Sequence, residues 1–254
     1  MQKEELKFAD STIFEGMTSI RAIIDSYRRG TNNRKIEKIY FDKNKLQKNA
    51  KEIRYLKAVS FEIGYTIEPV DSAFLDEITL GNSHGGIVCQ TSERIIPELT
   101  SECIDGDFYV MIEGIEDPYN FGYALRSLYA CGCSGVILPR RNWMSAAGVV
   151  ARSSAGASEL FDLYNADALK ALEIFKAKGF SVVCADEKTD NVLGKCELKK
   201  PILLIVGGEK RGISSAVLGA ADIRVKIEYS RDFNASLSAA SATTMFAYEI
   251  QRQN

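Results

Sequence analysis

Histidine is almost missing from this chain, since His84 is the only one in 254 residues. Ser-His nucleophilic triads, His-rich metal sites and imidazole acid–base catalysis all depend on this residue type. The sequence therefore argues against hydrolase and metalloenzyme functions, and we predict no metal site.

Long apolar segments are also missing, because no stretch approaches the roughly 20 residues that a transmembrane helix needs. Residues 1–5 have no basic start followed by an apolar run, which is the pattern of a signal peptide. With 46% hydrophobic and 26% charged residues, the composition is typical of a protein that forms a core. We expect a cytoplasmic protein with no membrane partner.

Closely spaced cysteines are scarce as well. The chain has six cysteines, and its one close pair, Cys131 and Cys133, has a C-x-C spacing. Zinc knuckles and redox sites use C-x-x-C instead. We interpret the cysteines as buried free thiols.

The net charge of −2 conceals a basic segment near the amino terminus. Between Arg21 and Lys57, twelve basic residues stand against four acidic ones, a local excess of eight positive charges. A solvated helix face explains this excess as readily as a binding surface for a phosphate backbone does. On the second interpretation, the candidate nucleic-acid-binding residues are Arg28, Arg29, Arg34 and Lys35.

The chain divides into two predicted domains, of which the first covers residues 1–100. Its pattern predicts a small α/β module with helices at 19–28 and 45–61 and strands at 39–41, 65–70 and 87–89. The polar stretch 101–107 is the predicted linker.

The second domain, residues 108–254, alternates strands and helices strictly. Predicted strands are apolar runs at 108–112, 135–138, 181–184, 201–206 and 223–227, and predicted helices cover 119–131, 169–178, a segment from residue 214, and 236–252. Apolar strands separated by helices predict a parallel sheet covered on both faces. Ligands of such sheets bind beyond the carboxyl ends of the strands, so the loops there carry the candidate site.

A glycine-rich motif, G-G-E-K-R-G, follows one of these strands from Gly207 to Gly212. The spacing fits a phosphate loop, but Ile213 occupies the position of its lysine. The G-x-G-x-x-G string of a dinucleotide-binding fold is absent. Glycines after a buried strand let the backbone approach a ligand closely, although a purely structural turn explains them too.

Another motif, D-P-Y-N-F-G-Y-A-L-R, begins at Asp117 after an earlier strand. Asp117 and Pro118 predict a turn and a helix start. Asn120 and Arg126 lie on the first turns of that helix, where we expect them to face one pocket. Alone, this motif is equally typical of a capped helix with an exposed arginine.

Together and in this order, the two motifs resemble those of the SpoU or TrmH family of RNA ribose methyltransferases, part of the SPOUT superfamily. The family's first motif, D-P-x-N-x-G-x-x-x-R, is matched at Asp117, Pro118, Asn120, Gly122 and Arg126. Its second motif, G-x-E-x-x-G, is matched at Gly207, Glu209 and Gly212. Residues 153–157 are similar to a small-residue run of the family, and residues 14–16 and 84–88 to its substrate-binding domain. The resemblance spans almost the whole chain.

The family's third motif, S-L-N-V-S, is altered in this chain. A gap-free alignment to residues 236–240 puts Ser238 in place of the usual asparagine and Ala240 in place of the usual serine. A second register matches Asn234 and Ser236 to N-x-S but leaves the final helix about one turn too long. The gap-free register is preferred, because an insertion would rotate the apolar positions around the helix.

The resemblance implies an α/β fold with a trefoil-knotted, parallel-sheet C-terminal domain, preceded by a small ribosomal-protein-like α/β RNA-binding domain. It also implies a homodimer formed through the C-terminal domain, with a small-residue face of the final helix (Ser238, Ala239, Ala242) at the interface. The implied cofactor is S-adenosylmethionine. Its implied binding residues are Leu138, Val206, Gly207, Gly208, Ile227, Ser236 and Leu237.

The activity implied by the resemblance is methylation of a ribose 2′-hydroxyl in structured RNA, either ribosomal or transfer RNA. The implied catalytic residues are Arg126, Asn120, Glu209 and Ser238. A guanidinium group is a poor base, so we assign Arg126 to anchoring the adjacent phosphate. The alternative is an RNA-binding protein on a methyltransferase scaffold, with weak or no catalysis because of the altered third motif.

Overall fold

The structure is a computed structural model that describes residues 12–79, 84–139, 146–208 and 211–254. The chain divides into two compact units: Met1–Ile95 with Asn142–Leu160, and Ile96–Arg141 with Phe161–Asn254. The predicted linker at 101–107 lies inside the second unit. The reason is local packing, since Leu99 and Ile104 are buried in that unit's core and the Leu99 N–H donates to the Asn165 carbonyl at 2.9 Å.

The described strands are β1 (Ile13–Glu15), β2 (Ile36–Asp42), β3 (Thr66–Val70), β4 (Ile87–Thr91), β5 (Phe108–Glu113), β6 (Gly135–Leu138), β7 (Asp162–Asn165), β8 (Ser181–Ala185), β9 (Ile202–Gly207) and β10 (Ile223–Val225). The described α-helices are α1 (Gly16–Arg29), α2 (Ala50–Ile63), α3 (Ser72–Ile78), α4 (Pro118–Ala130), α5 (Ala147–Ser153), α6 (Ala157–Leu160), α7 (Ala168–Ala177), α8 (Ser215–Ala220) and α9 (Ala239–Gln253). None of these helices is long and apolar enough to cross a membrane.

The first unit contains a four-stranded mixed sheet in the order β1-β4-β2-β3. Strands β2 and β3 are parallel, whereas β4 pairs antiparallel with both β1 and β2. The helices α1 and α2 contribute apolar side chains to one core against this sheet, among them Ile23 of α1 and Leu56 of α2. The predicted α/β character of this region is therefore observed.

The basic helix α2 is shorter at its start than predicted. It begins at Ala50 rather than residue 45, because Asp42 accepts the Asn44 N–H at 2.9 Å and starts a separate 3₁₀ turn at Lys43–Lys45. The helix ends at Gly64, whose φ of 90° is left-handed and suits glycine. Its buried face consists of Ile53, Leu56 and Val59.

Residues 146–160 belong to the first unit, although the sequence places them in the second predicted domain. Ala147 and Ala151 of α5 are buried in the first unit's core. The Arg152 guanidinium donates to Glu15 at 2.6 Å. Small residues permit this close packing, since a Cβ on Gly156 would collide with the Ala22 side chain. The small-residue run at 153–157 therefore has a packing role within this unit.

The second unit contains a six-stranded sheet in the order β10-β8-β9-β5-β6-β7. Every pair in it is parallel, so the predicted parallel sheet is confirmed. Strands β5 and β9 are central and almost wholly buried, which explains their continuous apolar sequences. Core side chains on one face pack around Tyr109, Phe175 and Phe180, whose rings lie 5.0–5.9 Å apart.

Candidate active site

The first two motifs follow neighbouring strands of the parallel sheet. Strand β5 pairs with β9 along its whole length, ending with Glu113 opposite Gly207. The Gly208 N–H then donates to the Glu113 carbonyl. The two motif loops therefore leave the sheet side by side at one edge, as their positions after parallel strands predict.

The glycines of the second motif permit close approach of backbone to backbone. A Cβ atom on Gly208 would collide with the carbonyl group of Gly114, and one on Gly207 would lie less than 3.0 Å from the backbone of Gly212. The Gly212 N–H donates to the Gly208 carbonyl at 3.0 Å, and Gly212 has a φ of 60°. Gly207 and Gly208 therefore allow an approach of backbone to backbone that a residue with a Cβ atom would prevent.

A cavity of about 340 Å³ lies at this edge of the sheet. Its volume is at the lower end of the range of roughly 300–1,000 Å³ for small-molecule sites. Six of the predicted cofactor-binding residues line it, namely Val206, Gly207, Gly208, Ile227, Ser236 and Leu237. Apolar side chains that the sequence did not indicate complete the wall: Ile213, Leu218, Val225 and Phe246.

The polar wall of the cavity was not predicted. Asp186, Glu187 and Lys188 follow β8 and line the cavity. The Ser236 hydroxyl donates to the Glu187 carboxylate at 2.8 Å, which joins this wall to the third motif. A signal was present in the sequence, because the two acidic residues begin two positions after the predicted buried strand at 181–184, at the end where ligands of parallel sheets bind.

The cysteine next to this polar wall, Cys184, is a buried thiol. Cys184 lies in β8, just before the acidic residues, and its side chain is buried. Burial raises the pKa of the Cys184 thiol to about 12. The thiolate is therefore not populated at neutral pH, and the predicted role of a buried free thiol is confirmed here. Of the other cysteines, Cys103 and Cys196 are only half-buried.

Helix α4 carries the first motif and two of the predicted catalytic residues, Asn120 and Arg126. The Asp117 carboxylate accepts the Tyr119 N–H at 3.0 Å and Pro118 is the first residue, so the predicted helix start is confirmed. Asn120 is half-buried and Arg126 is exposed. Because the two residues are six positions apart on an α-helix, their side chains point in directions about 120° apart. Neither residue lines this cavity, and the expectation that both face one pocket stays a prediction.

The family model of the SpoU rRNA Methylase family matches residues 107–248, more than half of the chain. The chain belongs to this family. The resemblance drawn from the motifs is thereby confirmed. The matched range covers the parallel sheet and the three motif loops, and it includes residues 146–160, which pack in the first unit.

Curated relatives of this SpoU family member extend over most of its length. A "Putative TrmH family tRNA/rRNA methyltransferase YacO" of Bacillus subtilis is 26% identical over 239 residues, which cover 91% of this chain and 93% of that protein. A "23S rRNA (guanosine-2'-O-)-methyltransferase RlmB" of Shewanella oneidensis is 29% identical, over 79% of this chain and 82% of that protein.

Solved structures show that the fold is also shared. An AdoMet-bound rRNA methyltransferase from Sinorhizobium meliloti superposes with a TM-score of 0.77 at 21% identity, covering 95% of this chain and 87% of that one. The SpoU methyltransferase AviRb from Streptomyces viridochromogenes, in complex with AdoMet, gives 0.76 at 20% identity, covering 98% and 97%.

One residue expected from the SpoU resemblance to bind the cofactor does not line the cavity. Leu138 ends β6, and its side chain is only 2% exposed. Strand β5 separates β6 from β9, so Leu138 lies two strands away from the glycine motif. Among the described residues, Leu138 is part of the core rather than of the cavity wall.

The third motif of this SpoU family member begins the last helix. Ser238 is the N-cap of α9, and its hydroxyl accepts the Ser241 N–H at 3.2 Å. The Ser238 hydroxyl therefore caps the helix, and its neighbours Leu237 and Ala239 line the cavity. Glu209, the carboxylate of the second motif, lies outside the described residues.

The predicted RNA-binding residues of the first unit have different environments. Arg34 is 2% exposed and forms an ion pair with Glu159 at 2.9 Å, so it is not available to a phosphate. That prediction is wrong, because a partner distant in sequence neutralises the charge inside the core. Arg28 is exposed but pairs with Glu62 at 2.7 Å. Arg29 and Lys35 are exposed.

Proposed function

We propose that this chain is an S-adenosylmethionine-dependent methyltransferase that methylates a ribose 2′-hydroxyl of RNA. The observation that carries the proposal is the cavity where Gly207, Gly208 and Leu237 meet at one edge of a parallel sheet. Relatives named as tRNA/rRNA and rRNA 2′-O-methyltransferases support the substrate class. The structural neighbours with bound AdoMet support the cofactor.

The cavity fits this cofactor chemically. Apolar side chains such as Val225, Ile227 and Phe246 suit a purine ring, and Gly207 and Gly208, which line the cavity without side chains, suit backbone hydrogen bonds to it. Carboxylates at Asp186 and Glu187 are acceptors for ribose hydroxyls or for an ammonium group. Among the described residues, no group of three or more His, Cys, Asp or Glu is placed to hold a metal ion.

The bound cofactor supplies an electrophilic methyl group on a sulfonium. Because methyl transfer is an in-line displacement, the protein has to hold the ribose oxygen opposite the departing sulfur, and the hydroxyl proton passes to water. Arg126 binds the phosphate next to the target ribose in a bidentate manner, which also stabilises the developing alkoxide. Asn120 and Glu209 orient Arg126 and the ribose, and the hydroxyl of Ser238 positions the substrate at the start of α9.

The active form is a homodimer. Arg126 is exposed and does not line the cavity of its own chain, which supports a role for it at the cavity of a partner chain. The packed helices α4 and α9 present exposed apolar side chains for such contact, namely Tyr119, Tyr123, Met245 and Tyr248. The small-residue face of α9 is not free for such contact, because Ala239 is 3% exposed and Ala242 lines the cavity. We therefore assign the dimer interface to the exposed apolar side chains of α4 and α9.

The remaining features of the resemblance extend the proposal. The second unit is trefoil-knotted, and the first unit is a ribosomal-protein-like module that binds the RNA before methylation. The substrate is ribosomal or transfer RNA, both of which occur in the relatives' names, and the enzyme acts in the cytoplasm.

The test is methyl transfer from radiolabelled S-adenosylmethionine to total RNA from cells that lack the protein. We expect label in alkali-stable dinucleotides, because a 2′-O-methyl group blocks cleavage of the adjacent phosphodiester. Cofactor and RNA that bind with no product would instead support the scaffold alternative. Thermal stabilisation by NAD but not by S-adenosylhomocysteine would contradict the proposed cofactor.

A further inference from the structure

Eight of the twelve basic residues between Arg21 and Lys57 fall into two groups, and the other four, Arg21, Arg29, Lys35 and Lys48, are exposed outside helix α2. The first group is buried or neutralised: Arg28 pairs with Glu62, Arg34 with Glu159, Lys38 with Glu68, Lys43 with Asp71, and Lys45 with Asp42. The second group lies on helix α2 and consists of Lys51, Arg54 and Lys57, which are exposed. Within the described part of the chain, none of these three has an acidic partner.

The three basic residues share the outer face of α2. The helix buries Ile53, Leu56 and Val59, and the positions on its opposite side are exposed. At 100° per residue, Lys51 and Arg54 lie within about 60° of one another on that side, with Lys57 next to Arg54. The face is therefore a positively charged stripe on a rigid element.

An aromatic residue lies at the carboxyl end of the same stripe. Phe61 is 91% exposed, the largest exposed fraction of any large apolar side chain among the described residues. It lies two turns after Arg54, about 10 Å along the helix axis. Full exposure of a phenylalanine ring gives up its hydrophobic stabilisation, so the ring is available to a ligand.

We propose that this outer face of α2, defined by Lys51, Arg54, Lys57 and Phe61, binds an unpaired segment of the RNA substrate. The three cations contact successive phosphates, and an unstacked base lies on the ring of Phe61. This inference rests on the proposed function, because it assigns the RNA surface of the first unit. It moves that surface from Arg34 and its neighbours in sequence to α2.

Charge and shape favour unpaired RNA as the occupant. Proteins that bind single strands combine a positive track for the backbone with aromatic side chains on which bases stack. A base in a double helix is already stacked on its neighbours and cannot lie against an aromatic ring, so an exposed phenylalanine suits a loop or a bulge. The absence of neutralising carboxylates from the stripe, within the described residues, leaves its full charge for the ligand.

The charged part of the proposal is tested by salt dependence. A short oligouridylate is titrated with wild-type protein, with Lys51→Gln/Lys57→Gln, and with the control Lys38→Gln/Lys43→Gln, which removes two lysines that have acidic partners. Each phosphate contact with a single strand contributes about 0.7 to the slope of log affinity against log salt. We expect the slope to fall by about 1.4 in the first variant and to stay unchanged in the control. Equal slopes in all three proteins would overturn the proposal.

The aromatic part is tested with Phe61→Ala and Phe61→Tyr. Removal of one stacking side chain weakens single-strand binding by about 5- to 150-fold, and a tyrosine retains the ring. We expect that loss for Phe61→Ala with the oligouridylate, near wild-type affinity for Phe61→Tyr, and little change for either with the oligouridylate–oligoadenylate duplex. An unchanged RNA affinity with an altered sedimentation coefficient would show that Phe61 contacts protein instead, and would overturn the proposal.

Methyl transfer to total RNA and S-adenosylmethionine binding are measured on the same preparations. If the wild type methylates RNA but the α2 variants keep its affinity and salt slope, the α2 surface is wrong and the proposed function stands. If the variants lose RNA affinity but the wild type transfers no methyl group, the surface stands and the proposed function fails.

Discussion

Arg34 and Glu159 form an ion pair of 2.9 Å inside the first unit, although 125 residues separate them in the sequence. Their side chains are 0% and 2% exposed. The Arg34 guanidinium also lies 4.7 Å above the ring of Phe14 and donates to the Ser92 carbonyl at 3.0 Å. The Asn32 side chain donates to the same glutamate at 3.2 Å. Each charge of the ion pair therefore contacts at least one further group.

We expect Arg34→Ala to destabilise the first unit by about 3–5 kcal/mol, because it leaves the Glu159 carboxylate buried without its cation. Urea unfolding followed by far-UV circular dichroism and by hydrogen exchange in α1 measures the change. Arg28→Ala is the matched control, since its partners Glu62 and Asp25 are exposed. Similar losses in the two variants would mean that the buried pair has no special role.

Gly208→Ala is expected to weaken S-adenosylmethionine binding by at least about tenfold. The added methyl group would collide with the carbonyl group of Gly114 and push the second motif away from the first. Isothermal titration calorimetry measures the affinity. Gly219→Ala is the control, because nothing lies within 4 Å of its Cβ position in the same unit. Normal affinity in Gly208→Ala would show that the tight approach is dispensable.

Much of the second unit was predictable, because buried parallel strands are continuous apolar runs. The predicted strand at 135–138 is observed as Gly135–Leu138 without change. Strand β7 was missed, since Asp162–Asn165 is a short edge strand with polar ends and no apolar run. Helix α3, with seven residues, was missed for the related reason that it is too short to show helical periodicity.

The candidate site was predictable wherever glycine or capping chemistry is local in sequence. Gly207, Gly208 and the Asp117 cap belong to this class. The burial of Arg34 was not predictable, because a basic segment looks solvated until its partner is known, and Glu159 comes from a distant helix. The placement of Arg126 away from the cavity has a similar cause, since helix periodicity alone does not show which face packs on the sheet.

Arg126→Ala is expected to reduce methyl transfer by about 10²–10³-fold, the usual effect of losing one group that stabilises developing negative charge. S-adenosylmethionine affinity should be unchanged, because Arg126 does not line the cavity. Single-turnover transfer and equilibrium binding are measured side by side. Arg126→Lys should recover only part of the rate, since an ammonium group lacks the bidentate geometry. Full transfer by Arg126→Ala would remove this residue from the catalytic assignment.

Tyr123→Glu/Tyr248→Glu is expected to convert a dimer into monomers. Both side chains are more than half exposed, at 51% and 61%, on the faces of α4 and α9 that the dimer would cover. Two buried carboxylates would have no partners there. Sedimentation equilibrium measures the mass, and Leu169→Glu, at a side chain that is 47% exposed on α7 of the same unit, serves as the control. Monomers that still transfer methyl groups at the wild-type rate would contradict the role of Arg126 in a partner's site.

The stability of the first unit should depend on Asp42 at acid pH. Asp42 is 1% exposed; burial alone would raise the pKa of its carboxyl, but the hydrogen bonds from Ser72 and Asn44 and the charge of Lys45 outweigh burial and hold it below the ordinary 3.8. A lowered pKa in the folded state means that the carboxylate stabilises the fold above its unfolded pKa, and that this stabilisation is lost as the pH falls through the folded value.

Comparison of Asp42→Asn with wild type should therefore show a lower Tm for the variant above about pH 5. The difference should shrink as the pH falls below 3.8, where the wild-type carboxyl group becomes protonated too. Thermal unfolding by circular dichroism in matched ionic strength measures it, with Glu77→Gln as the control, because that side chain is exposed on α3. A Tm difference that stays constant down to pH 2 would show that the asparagine acts through packing rather than through loss of the charge.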